Sequence, residues 1–131
     1  DREHLRLVFE RVTYQASRAE PDATFLRLFN QSLVGTNMAP ANQCFVLETL
    51  HAKGAFSLTT SVSASSSPKQ LDFNAALLQL LYAVCVGNSV TRHIAQRVLP
   101  AQAIIDILGS DSEFPVPHRS AYYRLLGALY F

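Results

Sequence analysis

Charge is scarce in this chain. Only 16% of its 131 residues are Asp, Glu, Lys or Arg, below the roughly one quarter usual for a soluble domain. The net charge is +1, and the eleven basic residues are scattered. The densest stretch, Arg2 to Arg11 with Arg6 inside it, also carries Glu3 and Glu10. That spread excludes the clustered Lys and Arg footprint of a nucleic-acid binder. Long hydrophobic runs are missing too. The richest, Leu77 to Val86, contains Gln79 and falls short of the about 18 apolar residues that span a bilayer, so direct membrane insertion is not expected. The chain opens on Asp1-Arg2-Glu3-His4, which is no signal peptide. Cysteine is limited to Cys44 and Cys85, both inside helical patterns and without CxxC spacing. Buried free thiols are therefore expected ahead of a disulfide or a metal pair.

Catalytic patterns are absent as well. His4, His51, His93 and His118 are far apart and lack HExxH or paired-ligand spacing. Cys44 and His51 can share a helix face, but two groups do not make a metal site. Cys85 and His93 flank a glycine turn and have the types of a thiol and its base. Cys85 sits in the most apolar helix, however, where burial raises a thiol pKa and makes it inert. The carboxylates, led by Glu10, Glu20, Glu48, Asp72, Asp106, Asp111 and Glu113, form no evident pair. Neither GxxxxGK nor GxGxxG occurs. The expectation is no enzyme, no metal and no cofactor.

What is present is helix. Nearly half the residues are apolar (49%), enough for one domain with a sizeable core. Leu5, Val8, Phe9 and Val12 follow an i, i+3, i+4, i+7 stripe, predicting a helix from about Arg2 to Arg18. Pro21 interrupts, Asp22 offers an N-cap, and a second helix carries Phe25 to Val34 and ends at Gly35. Pro40 suits the start of a third, which stops at Gly54. Residues 57–69 read as a flexible Ser-rich loop, although Phe56-Ser57-Leu58 can begin as an extra turn or short strand. The stretch 55–69 holds six serines and two threonines and no acid. It is solvated chain first and a phosphorylation site second. A fourth helix is expected from about Gln70 to Val86, apolar on most sides and central. The fifth follows Gly87-Asn88-Ser89, with Asn88 or Ser89 as cap. The sixth starts after Pro100 and ends at Gly109. "SDSEFPVPH" is a loop, and the last helix starts near Pro117. It reaches Phe131 with neither a cap nor a polar tail. A fragment of a larger protein, with faces made to meet neighbouring helices, explains this end and the low charge.

Sliding the chain by 52 residues lays "FLRLFNQSLVG" (25 to 35) over "LLQLLYAVCVG" (77 to 87). Phe25 meets Leu77, Phe29 meets Leu81, and Val34-Gly35 meets Val86-Gly87. Both copies read helix, glycine turn, helix. The period exceeds the roughly 40 to 47 of HEAT and armadillo repeats, and the Ser-rich loop accounts for the excess. Chance similarity of two Leu-rich helices is the competing explanation; the shared glycine and register favour a repeat.

"LLQLLYAVCVGN" followed by "AQRVL", with "NMAPANQCFVLETL" and "RSAYYRLLGALYF", resembles the helical pairs of armadillo-like regions, and among these the cytosolic helical region of inositol trisphosphate and ryanodine receptors. The resemblance covers about residues 25 to 50 and 73 to 131. It implies an all-α, armadillo-like right-handed superhelix of about seven helices, cytoplasmic in location, and a cytosolic structural segment of a calcium-release channel that couples neighbouring domains. No basic cluster that would bind an inositol phosphate is present. The leading expectation is a non-enzymatic scaffold or protein-interaction module, whose partner is a protein or the adjacent helical repeats of the same chain. Tyr122, Tyr123, Leu126 and Tyr130 are the expected docking surface. In the competing reading, Leu125, Leu126 and Leu129 close the core and the tyrosines keep their hydroxyls in water.

Overall fold

The computed structural model describes residues 2–35, 38–57, 59, 62–63, 65–110 and 116–131. The expectations for Leu58 and for residues 111–115 lie outside them. The described residues are helical, with no strand among them. The helices are α1 (Arg2–Ala16), α2 (Thr24–Gly35), α3 (Pro40–Ala52), α4 (Pro68–Cys85), α5 (Ser89–Val98), α6 (Ala101–Ser110) and α7 (Val116–Tyr130). None of these is long and apolar enough to cross a membrane.

Local chemistry sets the boundaries. Asp22 does not cap α2 directly. Its Oδ1 accepts from the Thr24 N–H at 2.9 Å, one residue outside the cap position, and this hydrogen bond holds its carboxyl below the usual range. Gly54 and Gly87 both take positive φ, +76° and +74°, a region open to glycine at little cost. After Gly54 the Ala55 N–H returns to the Leu50 carbonyl at 3.0 Å, closing the end of α3. Gly109 does not end α6, which continues to Ser110. α4 starts two residues earlier than its apolar pattern indicates. Ser67 Oγ accepts from the Gln70 N–H, and Gln70 Oε1 accepts from the Ser67 N–H at 3.0 Å. This reciprocal capping box, with Pro68 at the first helical position, extends the helix.

The helices pack in a definite order. α4 lies at the centre and touches α2, α3, α5 and α7. α2 rests on α4 and α3 rests on α5, while α4 packs on α5 directly. α1 covers α2 and α3 at one end. At the other end α7 takes the place beside α4, and α6 packs on α7. One core cluster joins residues of all seven helices, including Phe9, Leu26, Leu47, Leu81, Ile94, Ile104 and Leu125.

The described part of the Ser-rich stretch has buried members. Thr59 and Val62 are buried, and Thr59 Oγ1 donates to the Phe56 carbonyl at 2.6 Å. Ser63 and Ser66 close a turn on each other, the Ser66 N–H donating to the Ser63 carbonyl at 3.0 Å. Ser67 Oγ donates to Glu20 at 3.1 Å, tying the stretch back to the segment between α1 and α2.

Candidate functional site

Of the four α7 residues expected to form one docking surface, Tyr122 does not reach the surface. Tyr122 is fully buried, whereas Tyr123 is 60% exposed. Leu126 and Tyr130 are half-buried and pack on the core. The reason is helical phase. His118, Tyr122, Leu125 and Leu129 form the buried stripe of α7, and Tyr123 lies about 100° away from Tyr122 around the helix. Tyr122 is therefore a core residue and is removed from the proposed surface. The Tyr130 hydroxyl points to the Leu99 and Gln96 carbonyls at 2.9 and 3.3 Å, where it helps hold α7 to the end of α5.

Tyr122 belongs to a buried polar cluster that the sequence reading did not anticipate. Its hydroxyl donates to the Thr59 carbonyl and accepts from Asn74 Nδ2, both at 3.1 Å. Asn74 Nδ2 also donates to His118 Nε2 at 3.1 Å. Nε2 accepts there when the neutral ring carries its proton on Nδ1. Burial pushes the His118 pKa below its ordinary value, and a backbone contact with Leu71 only partly offsets this. Burial likewise raises the Tyr122 pKa. The cluster joins α4, α7 and the Ser-rich stretch. Its sequence signal is a lone polar residue, Asn74, within the apolar run of α4.

A second junction sits at the turn between α4 and α5. Asn88 Oδ1 accepts from the Val90 and Thr91 N–H groups at 3.0 and 3.2 Å, capping α5. Its Nδ2 donates to Gln43 Oε1 at 2.8 Å and to the Pro40 carbonyl at 3.3 Å. One side chain thus caps a helix and clips the starts of α3 and α5 together. Beside it, Cys85 Sγ donates to the Thr91 carbonyl at 3.7 Å. Burial drives the Cys85 pKa up to about 11, so the thiol remains protonated near neutrality and is a poor nucleophile. No group of three or more His, Cys, Asp or Glu among the described residues is arranged to hold a metal ion.

One open feature among the described residues is a groove of about 640 Å³ running between α2 and α7 over α4. Its floor includes the Gln79, Tyr82, Ala83 and Val86 stripe of α4, at i, i+3, i+4 and i+7. Leu33 and Asn30 come from α2, and Ser120 and Ala121 from α7. Arg27 stands on the α2 wall and Arg124 on the α7 wall. Arg27 is paired with Asp72 at 2.6 Å. The exposed Arg124 guanidinium lies 4.6 Å from the centre of the Tyr82 ring, a cation–π contact that holds it over the groove. Among the described residues, no Asp or Glu lines the groove. Asn30 is buried in the wall. Its Nδ2 donates to the Ala76 carbonyl at 3.0 Å, while Oδ1 has no hydrogen-bond partner. Periodicity brings the floor residues to one face, but three helices must meet before that face becomes a groove.

Comparison with protein-family models, curated proteins and solved structures gives no match. The functional reading therefore rests on the chain's own geometry.

Proposed function

We propose that this chain is a non-enzymatic helical scaffold, an α-solenoid module of armadillo-like kind, that docks a protein segment in the groove between α2 and α7. The groove carries this reading. It combines Tyr82, Ala83 and Val86 on its floor with Arg27, Asn30 and Arg124 on its walls, in a volume of about 640 Å³. The packing of α2 on α4 and of α3 on α5 supports the solenoid reading, because corresponding helices of neighbouring repeats stack in this way. Tyr123, exposed on α7, remains available as a second contact point for adjacent helices, with the half-buried Leu126 beside it.

The test is to pan a random-peptide display library against the chain and against Ala83→Gln, which fills the groove floor with a neutral side chain. Enrichment of peptides that bind the chain and not the variant is expected. Peptides that bind both equally, or no enrichment at all, would reject the groove as a docking site.

A further inference from the structure

We infer that the occupant of the groove is a short acidic peptide segment, in which a carboxylate adjoins an apolar side chain. The inference rests on the docking reading and adds the chemistry of the partner.

Charge is the first argument. Among the described residues the lining contains two arginines and no carboxylate. Arg27 is largely neutralised by Asp72, which leaves Arg124 as the cation whose charge faces the groove without a carboxylate partner among the described residues. It is exposed, and stacking on Tyr82 restricts it before any ligand arrives. A restricted guanidinium loses less freedom on pairing, and its planar fork suits a carboxylate. The second argument is the floor. Ala83 and Val86 line the groove together with Tyr82 and Arg124, so an apolar side chain can lie along the floor while a neighbouring carboxylate reaches the wall. The third is size. From Gln79 to Val86 the floor runs about 10 Å along α4. That is about three residues of extended chain, and the groove's volume is that of a short segment rather than of a whole helix. Nucleic acid fits less well, because a single free arginine over an apolar floor is not a phosphate track.

The test uses the full 131-residue chain and fluorescence anisotropy with labelled peptides of alternating Leu and Glu. Matched peptides carry Lys or Gln in place of Glu. The Leu/Glu peptide is expected to bind tightest, with affinity falling as salt rises. Arg124→Gln should weaken it about fivefold, the size of a partly exposed ion pair. Arg124→Glu should weaken it further and reverse the preference toward the Lys peptide. Arg124 is exposed, so both variants should fold, and circular dichroism checks this; Arg124→Lys, which keeps the charge, should retain part of the binding. Equal binding of all three peptides, or a Leu/Glu peptide unaffected by Arg124→Glu, would overturn the inference. So would a short oligothymidylate that competes as well as the Leu/Glu peptide, since bare polyanion attraction would then suffice. Library peptides that depend on the groove but lack acidic residues would remove the charge rule and leave the docking reading intact. If no peptide depends on the groove, both readings fail.

Discussion

Two sides of the same helical stack treat asparagine in opposite ways. On the α3–α5 side, Asn88 has every polar atom engaged, with Oδ1 capping α5 and Nδ2 clipping Gln43 and Pro40. On the α2–α4–α7 side, Asn30 makes one bond to Ala76 and leaves Oδ1 unpaired. The first side is closed and the second holds the groove. An unpaired acceptor in a buried wall costs stability. Asn74, in the buried cluster, likewise leaves Oδ1 without a hydrogen-bond partner, so the α3–α5 junction is distinguished by an asparagine that is fully engaged, and the other side by the groove itself.

The sharpest way to break this comparison is at the closed side. Asn88→Ala removes a helix cap and the clip to α3 together, and should destabilise the fold by about 2 to 3 kcal/mol. Urea unfolding measures it, and a loss below the cost of a cap alone would mean that the clip to α3 contributes nothing. Tyr122→Phe comes next. It keeps the ring in the core but leaves the Thr59 carbonyl and an Asn74 N–H without their partner, at a cost of about 1 to 2 kcal/mol. A neutral result would show that the cluster tolerates such loss and is no firmer than the groove wall.

His118 makes the closed interior pH-sensitive. Its folded pKa lies below the ordinary 6.5. Above that value both states hold the ring neutral, and the full contribution to stability is present. As pH falls below it, the unfolded chain takes up a proton that the folded chain resists. Stability is then lost, by at most about 1.4 kcal/mol per pH unit for one proton, until the folded pKa is passed. Unfolding midpoints at about pH 7.5 and about pH 5 should differ less in His118→Gln than in the parent chain. Equal differences would place the acid sensitivity elsewhere.

The smallest expected effect is on the open side. Asn30→Leu removes the unpaired Oδ1 along with one hydrogen bond, so stability should change by less than about 1 kcal/mol in either direction. The same change should alter peptide binding if the wall is functional. A large loss of stability would make Asn30 a second Asn88 and erase the distinction between the two sides.

Much of this was legible in the sequence, for local reasons. The α1 stripe of Leu5, Val8, Phe9 and Val12, the glycine ends at Gly54 and Gly87, the cap at Asn88 and the break at Pro100 act within a turn or two of the chain. They define helices wherever those helices pack. Even the start of α4 was available, in Ser67 and Gln70 three residues apart, although the apolar count drew attention to Gln70 instead. The apolar pattern of α7 could not say which of Tyr122 and Tyr123 faces inward, because a tyrosine serves on either side of a boundary. Only the docking of α7 against α4 brought Tyr122 to Asn74 and left Tyr123 outside. The same docking placed α7 rather than α6 beside α4 and set Arg124 across from Asn30. Residues distant in sequence acquire a shared environment only when helices pack, so tertiary structure alone decided the groove and the buried polar cluster.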